Sequence, residues 1–252
     1  MHYRHQAIGG FLIALTAFSG LSSMAEEQAD TQALVRDNST FAIEFYRSLA
    51  DSRKGNLFFS PHSISTALAM TYAGARGNTE AEMAATLRFQ LGQERLHPAF
   101  AGLEAMLGEV QKQGNVELRA ANSLWPHMKY KFLDEYLALA KKHYGVSISP
   151  VDYGDSESAR KTINQWVEGK TKDRIKELIP PGILDDSTRL VLVNAIYFKG
   201  KWQHEFDAAQ TKDTPFHLSY VKSVRVEMMK VVDEFRYAES KSLSTFFCQS
   251  SR

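Results

Sequence analysis

Three side chains able to do nucleophilic or acid–base chemistry crowd the stretch NLFFSPHSIS at residues 56–65: Ser60, His62 and Ser63. A hydroxyl beside an imidazole is the least that acyl transfer requires. The neighbouring residues argue against that use. A nucleophile elbow reads G-x-S-x-G, whereas Ser60 follows two phenylalanines and precedes a proline. Residues two apart at a helix start also point in different directions. Ser60 suits a helix N-cap, with Pro61 at the first helical position. Ser63 then becomes a hydroxyl between helix and sheet, and His62 incidental.

Other motifs fail for comparable reasons. EGKT at 168–171 carries the Gly-Lys-Thr ending of a phosphate-binding loop, but Asn164 stands where that loop needs its first glycine. It also lies inside a helical pattern rather than after a strand. The eight histidines show neither H-E-x-x-H nor paired Cys/His spacing, so no metal site is expected. Asn38-Ser39-Thr40 matches a glycosylation sequon but falls within a predicted helix. Asp185 and Asp186, next to Pro180, Pro181 and Gly182, read as turn residues rather than paired acids. None of these motifs gives an expectation of catalytic residues, a metal or a cofactor, and hydrolysis lost on Ser60→Ala would be the sign of an enzyme.

The elements that would position these residues can be read from periodicity. Leu34, Phe41, Phe45 and Leu49 recur at helical spacing over 31–52. NLFF, bounded by RKGN and Ser-Pro, reads as a short buried strand. The helix opened by Ser60 puts Ile64, Leu68 and Tyr72 on one face and stops at the glycine-rich AGARGN. Thr79 and Glu82 have the spacing of a capping box for a helix through EAEMAATLRF. An amphipathic helix spans 98–112, and VELRAANSLW reads as a strand. KFLDEYLALAKKHYG is a helix stopped by Gly145, with Lys141, Lys142 and His143 suiting its negative end.

Further along, VSISPVDY is a strand that Pro150 demotes towards a sheet edge. Residues 156–179 give the longest helical pattern, with Ile163, Trp166, Val167, Ile175 and Leu178 inward. PPGILDDST is a loop. RLVLVNAIYFKGKW, rich in β-branched and aromatic residues, reads as a central strand covered on both faces. TPFHL and SVRVEMMKVVDEFRYAES are short alternating segments. Helices lead and strands follow, without βαβ alternation or repeats, which predicts an α+β domain with a largely antiparallel or mixed sheet.

Composition narrows the function class. The 252 residues are 44% hydrophobic and 23% charged, enough apolar material for a sizeable core. A formal net charge of +1, with no run of Lys or Arg interleaved with aromatics, argues against nucleic acid as a partner. The start has the layout of a secretory signal peptide over residues 1–25: Arg4, a mainly apolar run over 7–18, and Ser23-Met24-Ala25 as a small-x-small cleavage site. That apolar run is shorter than the roughly 18 to 20 residues of a spanning helix, so no membrane association is expected after cleavage. The expected location is extracellular, or periplasmic in a Gram-negative host. Cys248, the lone cysteine, allows no intramolecular disulfide, so the core alone must hold the fold.

Beyond their individual chemistry, the longer motifs resemble one family. NLFFSPHSISTALAMTYAGARGNTEAEM at 56–83 is similar to the early signature of the serpins, and LVLVNAIYFKGKWQHEFD at 190–207 to a later one, with Thr211 and PFH following. NSLW at 122–125 and INQWVEGKTKDRIKELI at 163–179 fall between them in the family's order. The likeness runs over about 31–243, placing a single partial serpin domain at 26–252 with a divergent tail at 244–252.

The resemblance implies helices packed on a large mixed or antiparallel central sheet, with parts of two smaller sheets. It implies inhibition of a serine or cysteine protease as a suicide substrate: an exposed reactive-centre loop is cut and inserts as a new strand, trapping the protease as an acyl-enzyme. Carried over by position, Ser60, Ser63 and Asn194 resemble the shutter, a polar cluster beneath the middle of the sheet. Trp202 and Thr211 resemble the breach, where the loop first enters. The strand ending at Trp202 would border the insertion gap, and the 156–179 helix would lie across the sheet.

The resemblance also implies a C-terminal third, including hinge and reactive-centre loop, that the sequence does not continue into. The chain as written is therefore expected not to inhibit by insertion, and to be a monomer prone to aggregation through uncovered apolar faces. Heparin binding is not expected, because the 98–112 helix carries one basic residue, Lys112. The alternative reading is a non-inhibitory carrier or chaperone of the same fold, or an inactive gene fragment.

Overall fold

A computed structural model of the chain describes residues 9–112, 114, 116–202, 204–232, 236–240 and 243–247. Arg4 and Cys248 lie outside them. The chain forms two compact bodies, one of Met1–Leu107 with Arg119–Tyr197 and one of Gly108–Leu118 with Phe198–Arg252.

The first body holds α1 (Gly9–Ser52), α2 (Pro61–Tyr72), α3 (Gly77–Leu87), α4 (Gln93–Lys112) up to Leu107, and α5 (Asp134–Tyr144), which precede or flank the larger part of a sheet ordered β2-β1-β3. Its strands are β1 (Val116–Pro126), β2 (Ser147–Ile148) and β3 (Leu190–Gly200), and β2 runs parallel to β1 at the edge that Pro150 foretells. Helix α6 (Ser156–Lys170) lies between β2 and β3 in sequence.

Alternation along the strands splits the core into two layers. Leu124 of β1 joins Leu34, Phe41, Met70, Leu96 and Phe100 of the helices on one face. Its neighbour Trp125 joins Tyr153, Ile163 and Val167 on the other, and Val193 of β3 packs there too. Both faces of the sheet are thus covered, with α6 lying across the second. Trp125 stacks edge-on against Trp166 of α6.

Local signals explain most element ends. Ser60 caps α2, its Oγ accepting from the Ser63 N–H at 3.3 Å, and Pro61 begins the helix. Gly145 ends α5 in the left-handed conformation, φ +60°, that glycine adopts at little cost.

Several expectations are corrected. NLFF forms no strand: it pairs with no strand among the described residues, and Phe58 is fully exposed. Without a partner, an extended apolar run has no ladder to bury its backbone groups. The buried residues of α2 are Ser65, Thr66, Ala69, Met70 and Tyr72, with Ile64 packed against the core; of the expected face only Leu68 is exposed. Thr79 is inside α3, whose N-cap is Arg76; Asn78 meets Glu82 instead, donating from Nδ2 at 2.7 Å.

Helix α4 begins at Gln93, with Pro98 inside it. Helix α6 stops at Lys170 rather than 179. Thr171 Oγ1 accepts from the Ile175 N–H at 3.1 Å, and Lys172 and Asp173 turn left-handed, diverting the chain and leaving Leu178 exposed. β3 is covered on both faces as expected over 190–195, but its end is exposed from Phe198 on, and it is an edge strand among the described residues, bonded to β1 alone.

The second body holds two antiparallel hairpins. β4 (Lys212–Ser219) pairs with β5 (Lys222–Met228), joined across the ladder by Asp213 and Arg225 at 2.7 Å. β6 (Arg236–Ser240) pairs with β7 (Leu243–Phe247). No described helix is long and apolar enough to cross a membrane.

Candidate functional site

The polar side chains of the first body converge where α2 meets β1 and β3. Ser63, in the first turn of α2, donates from Oγ to Oδ1 of Asn194 on β3, a contact linking residues 131 positions apart. Asn194 donates from Nδ2 to Oδ1 of Asn122 on β1 at 2.6 Å. Asn122 donates from Nδ2 to the carbonyl of Tyr144, the last residue of α5, at 3.2 Å.

A backbone carbonyl can only accept, and that fixes the orientation of every amide in this chain. Asn122 must turn its nitrogen to Tyr144 and its oxygen to Asn194. Asn194 must then turn its own oxygen to Ser63. Three donors point the same way, from α2 across β3 and β1 to α5. Asn122 is 8% exposed, and Ser63 and Asn194 are half-buried. At such depth an unmade hydrogen bond costs about 1 to 3 kcal/mol.

Of the residues singled out by sequence, Ser63 and Asn194 are brought together directly. Ser60 reaches the cluster only through its cap on the Ser63 amide. His62 is not incidental: Nε2 meets Glu104 Oε1 at 3.0 Å, tying α2 to α4. Trp202 and Thr211 belong to the second body. There Trp202, 45% exposed, stacks edge-on against Phe206, and Thr211 closes the short 3₁₀ turn Ala208–Gln210.

Sequence reasoning passed over Asn122, although it lies inside the NSLW motif, because one asparagine in a strand gives no local sign of its partner. It also passed over His97 and Tyr144, which share a hydrogen bond at 2.6 Å in the core and are 2% and 5% exposed. Burial holds the His97 imidazole down to about 4, with the positive charges of His143 and Arg76 acting in the same direction. Burial likewise raises the Tyr144 hydroxyl far above its ordinary value. Both groups are neutral at physiological pH.

The rejected motifs have structural roles. EGKT sits at the C-terminal end of α6, the wrong end for phosphate. Asp185 accepts from the amide and hydroxyl of Ser187 in a turn, which holds its carboxyl below the usual range. Asn38 of the sequon accepts from the Ser65 hydroxyl at 2.6 Å between α1 and α2. Among the described residues, no group of three or more His, Cys, Asp or Glu side chains is placed to hold a metal ion.

The arrangement is a run of hydrogen bonds tying α2 to β3, β1 and α5. The family model Serpin (serine protease inhibitor) matches residues 36–248. Leukocyte elastase inhibitor A of Mus musculus is 46% identical over 203 residues, covering 79% of this chain and 52% of that protein. The leukocyte elastase inhibitor of Homo sapiens is 41% identical over 209 residues, covering 82% and 54%. Among solved structures, ovalbumin from emu (Dromaius novaehollandiae) superposes with a TM-score of 0.77 at 29% identity, covering 85% of this chain and 62% of that one. A cleaved Serpin 42Da gives 0.76 at 33% identity, covering 86% and 58%. The chain spans about half the length of the curated relatives it matches.

Proposed function

The chain belongs to the serpin family, and from that premise we propose that it forms the sheet-bearing part of a suicide-substrate inhibitor of serine or cysteine proteases, with an elastase-type serine protease as the first target to try. In this reading the protease cuts a bait loop, the loop inserts as a strand beside β3, and the protease stays attached as an acyl-enzyme. The observation that carries the reading is the Ser63–Asn194–Asn122 chain, which pins β3 to α2 and β1. An inserting strand must find the outer edge of β3 open, and the latch sets how easily β3 moves to receive it. Pairing of β3 with β1 alone among the described residues supports this.

The test offers the purified chain an extended synthetic peptide of alternating small residues. Saturable annealing that raises the thermal unfolding midpoint, and that goes faster in Ser63→Ala, is the expected result. A midpoint indifferent to peptide at all concentrations would sink the proposal. Incubation of the chain with elastase, scored for an SDS-stable adduct, then asks whether these residues suffice for trapping or need the rest of an inhibitor.

Export is part of the same proposal. Met24 to Ala29 are exposed, and the packed face of α1 starts at Asp30. Cleavage after Ala25 would leave Glu26 and Glu27 at the new helix N-terminus, where acidic side chains favour the helix dipole.

A further inference from the structure

The latch does not end at Tyr144. Tyr144 carries its acceptor carbonyl on the backbone and its hydroxyl at the far end of a buried ring, and that hydroxyl meets Nδ1 of His97 on α4 at 2.6 Å. On the other side of the imidazole, Nε2 faces Oε1 of Gln93 at 3.4 Å. The Gln93 amide nitrogen donates to two acceptors, the Ala75 carbonyl at 3.1 Å and Glu80 Oε1 of α3 at 2.9 Å. Two acceptors around one nitrogen leave the Gln93 oxygen turned to His97. His97 must therefore carry its proton on Nε2 and accept the Tyr144 hydroxyl at Nδ1. The rings of Tyr72 and Tyr144 lie 6.3 and 5.8 Å from the imidazole and hold it in place.

Two directed runs thus meet in Tyr144, one from Ser63 ending on its backbone carbonyl and one starting at its hydroxyl and ending on Glu80. The order is Ser63, Asn194, Asn122, then across the body of Tyr144 to His97, Gln93 and the Glu80 carboxylate. Reversing any one amide sets acceptor against acceptor at the next link. Aligned donors polarise one another within each run, and the two runs are coupled by position, through the ring that fixes where the Tyr144 carbonyl sits. No charged residue interrupts the run between Ser63 and its terminus.

We propose that Tyr144 and His97 are remote positioning residues of the latch, through which the packing of α3, α4 and α5 sets how readily β1 and β3 separate from α2. This rests on the reading of Ser63 and Asn194 as a latch, but its test uses neither peptide nor protease. A failed annealing experiment would leave it standing.

Native-state hydrogen exchange reads local opening at the amides around Asn122 and Asn194, with the amides of α6 on the opposite face of the sheet as reference. Tyr144→Phe keeps the ring and removes the hydroxyl. It is expected to raise opening around Asn122 and Asn194 at least fivefold while α6 changes by less than twofold. Combined with Ser63→Ala, the two effects should depart from multiplicativity by fivefold or more, because distant, independent sites combine without coupling. Equal acceleration in α6 would mean general loosening, and multiplicative effects would mean independent sites; either overturns the proposal. If Tyr144→Phe does not fold, Gln93→Met breaks the outer link at a half-buried position, and the same two criteria apply.

Discussion

Asn194→Asp probes the donor direction directly, since it changes one NH₂ to an oxygen with almost no change in shape. One carboxylate oxygen still accepts from Ser63. The other faces Asn122 Oδ1 at the 2.6 Å now bridged by a hydrogen bond. Asn122 cannot turn over to relieve this, because its oxygen would then meet the Tyr144 carbonyl, which its nitrogen now bonds at 3.2 Å. The variant loses one hydrogen bond, about 1 kcal/mol, and leaves a charged oxygen against a buried acceptor, about 2 kcal/mol more. A total near 3 kcal/mol is a large part of the 5 to 15 kcal/mol that typically holds a domain. Ser63→Ala, which loses one bond and orphans only Asn194 Oδ1, should cost about 1.5 kcal/mol.

Urea unfolding followed by tryptophan fluorescence measures both. The folded environment raises the pKa of the new carboxyl above its unfolded value near 3.9. The charge penalty is therefore absent below that value and grows as pH rises through it towards the folded pKa. Once protonated, the new group donates to Asn122 and restores the chain. The stability gap between Asn194→Asp and wild type should accordingly narrow on acidification. Equal costs for Asn194→Asp and Ser63→Ala, with a gap independent of pH, would refute the directional chain.

Three further outcomes are expected. His97 has a folded pKa of about 4, depressed from 6.5, so the stability it contributes is complete above pH 6.5 and is lost as pH falls towards 4. Wild type should lose up to about 3 kcal/mol over that window and His97→Gln much less, as read by denaturant titrations at several pH values. Expression in a glycosylating host should leave Asn38 unmodified by intact mass, because its side chain is held by Ser65 between two helices. N-terminal sequencing of exported protein should begin at Glu26.

Where a signal was local, the sequence displayed it. A serine before a proline reads as a cap, Gly145 as a stop, and the β-branched run at 190–195 as a strand with both faces covered. Competition defeated other local signals. Thr79 and Glu82 had capping-box spacing, but Asn78 took Glu82. Thr171 turned its hydroxyl on the Ile175 amide and ended a helix whose apolar spacing continued to Leu178. NLFF had strand composition, but composition does not supply a second strand.

The site divided along the same line. Ser63 and Asn194 were accessible only because they sit in long motifs resembling a family; alone, neither names its partner 131 positions away. Asn122, Tyr144 and His97 were not accessible, since their bonds span 72, 22 and 47 positions and each residue type is commonplace. What joins them is a property no single residue carries, two directed runs of donors that meet in Tyr144 and together cross six elements. Apolar contacts at the α2–β3 junction would hold the sheet without direction, whereas the run from Ser63 has a fixed donor order that ends on the Tyr144 carbonyl. In the proposed reading the sheet must both stay shut and open to a loop, and a restraint positioned from α5 through Tyr144 would meet both needs.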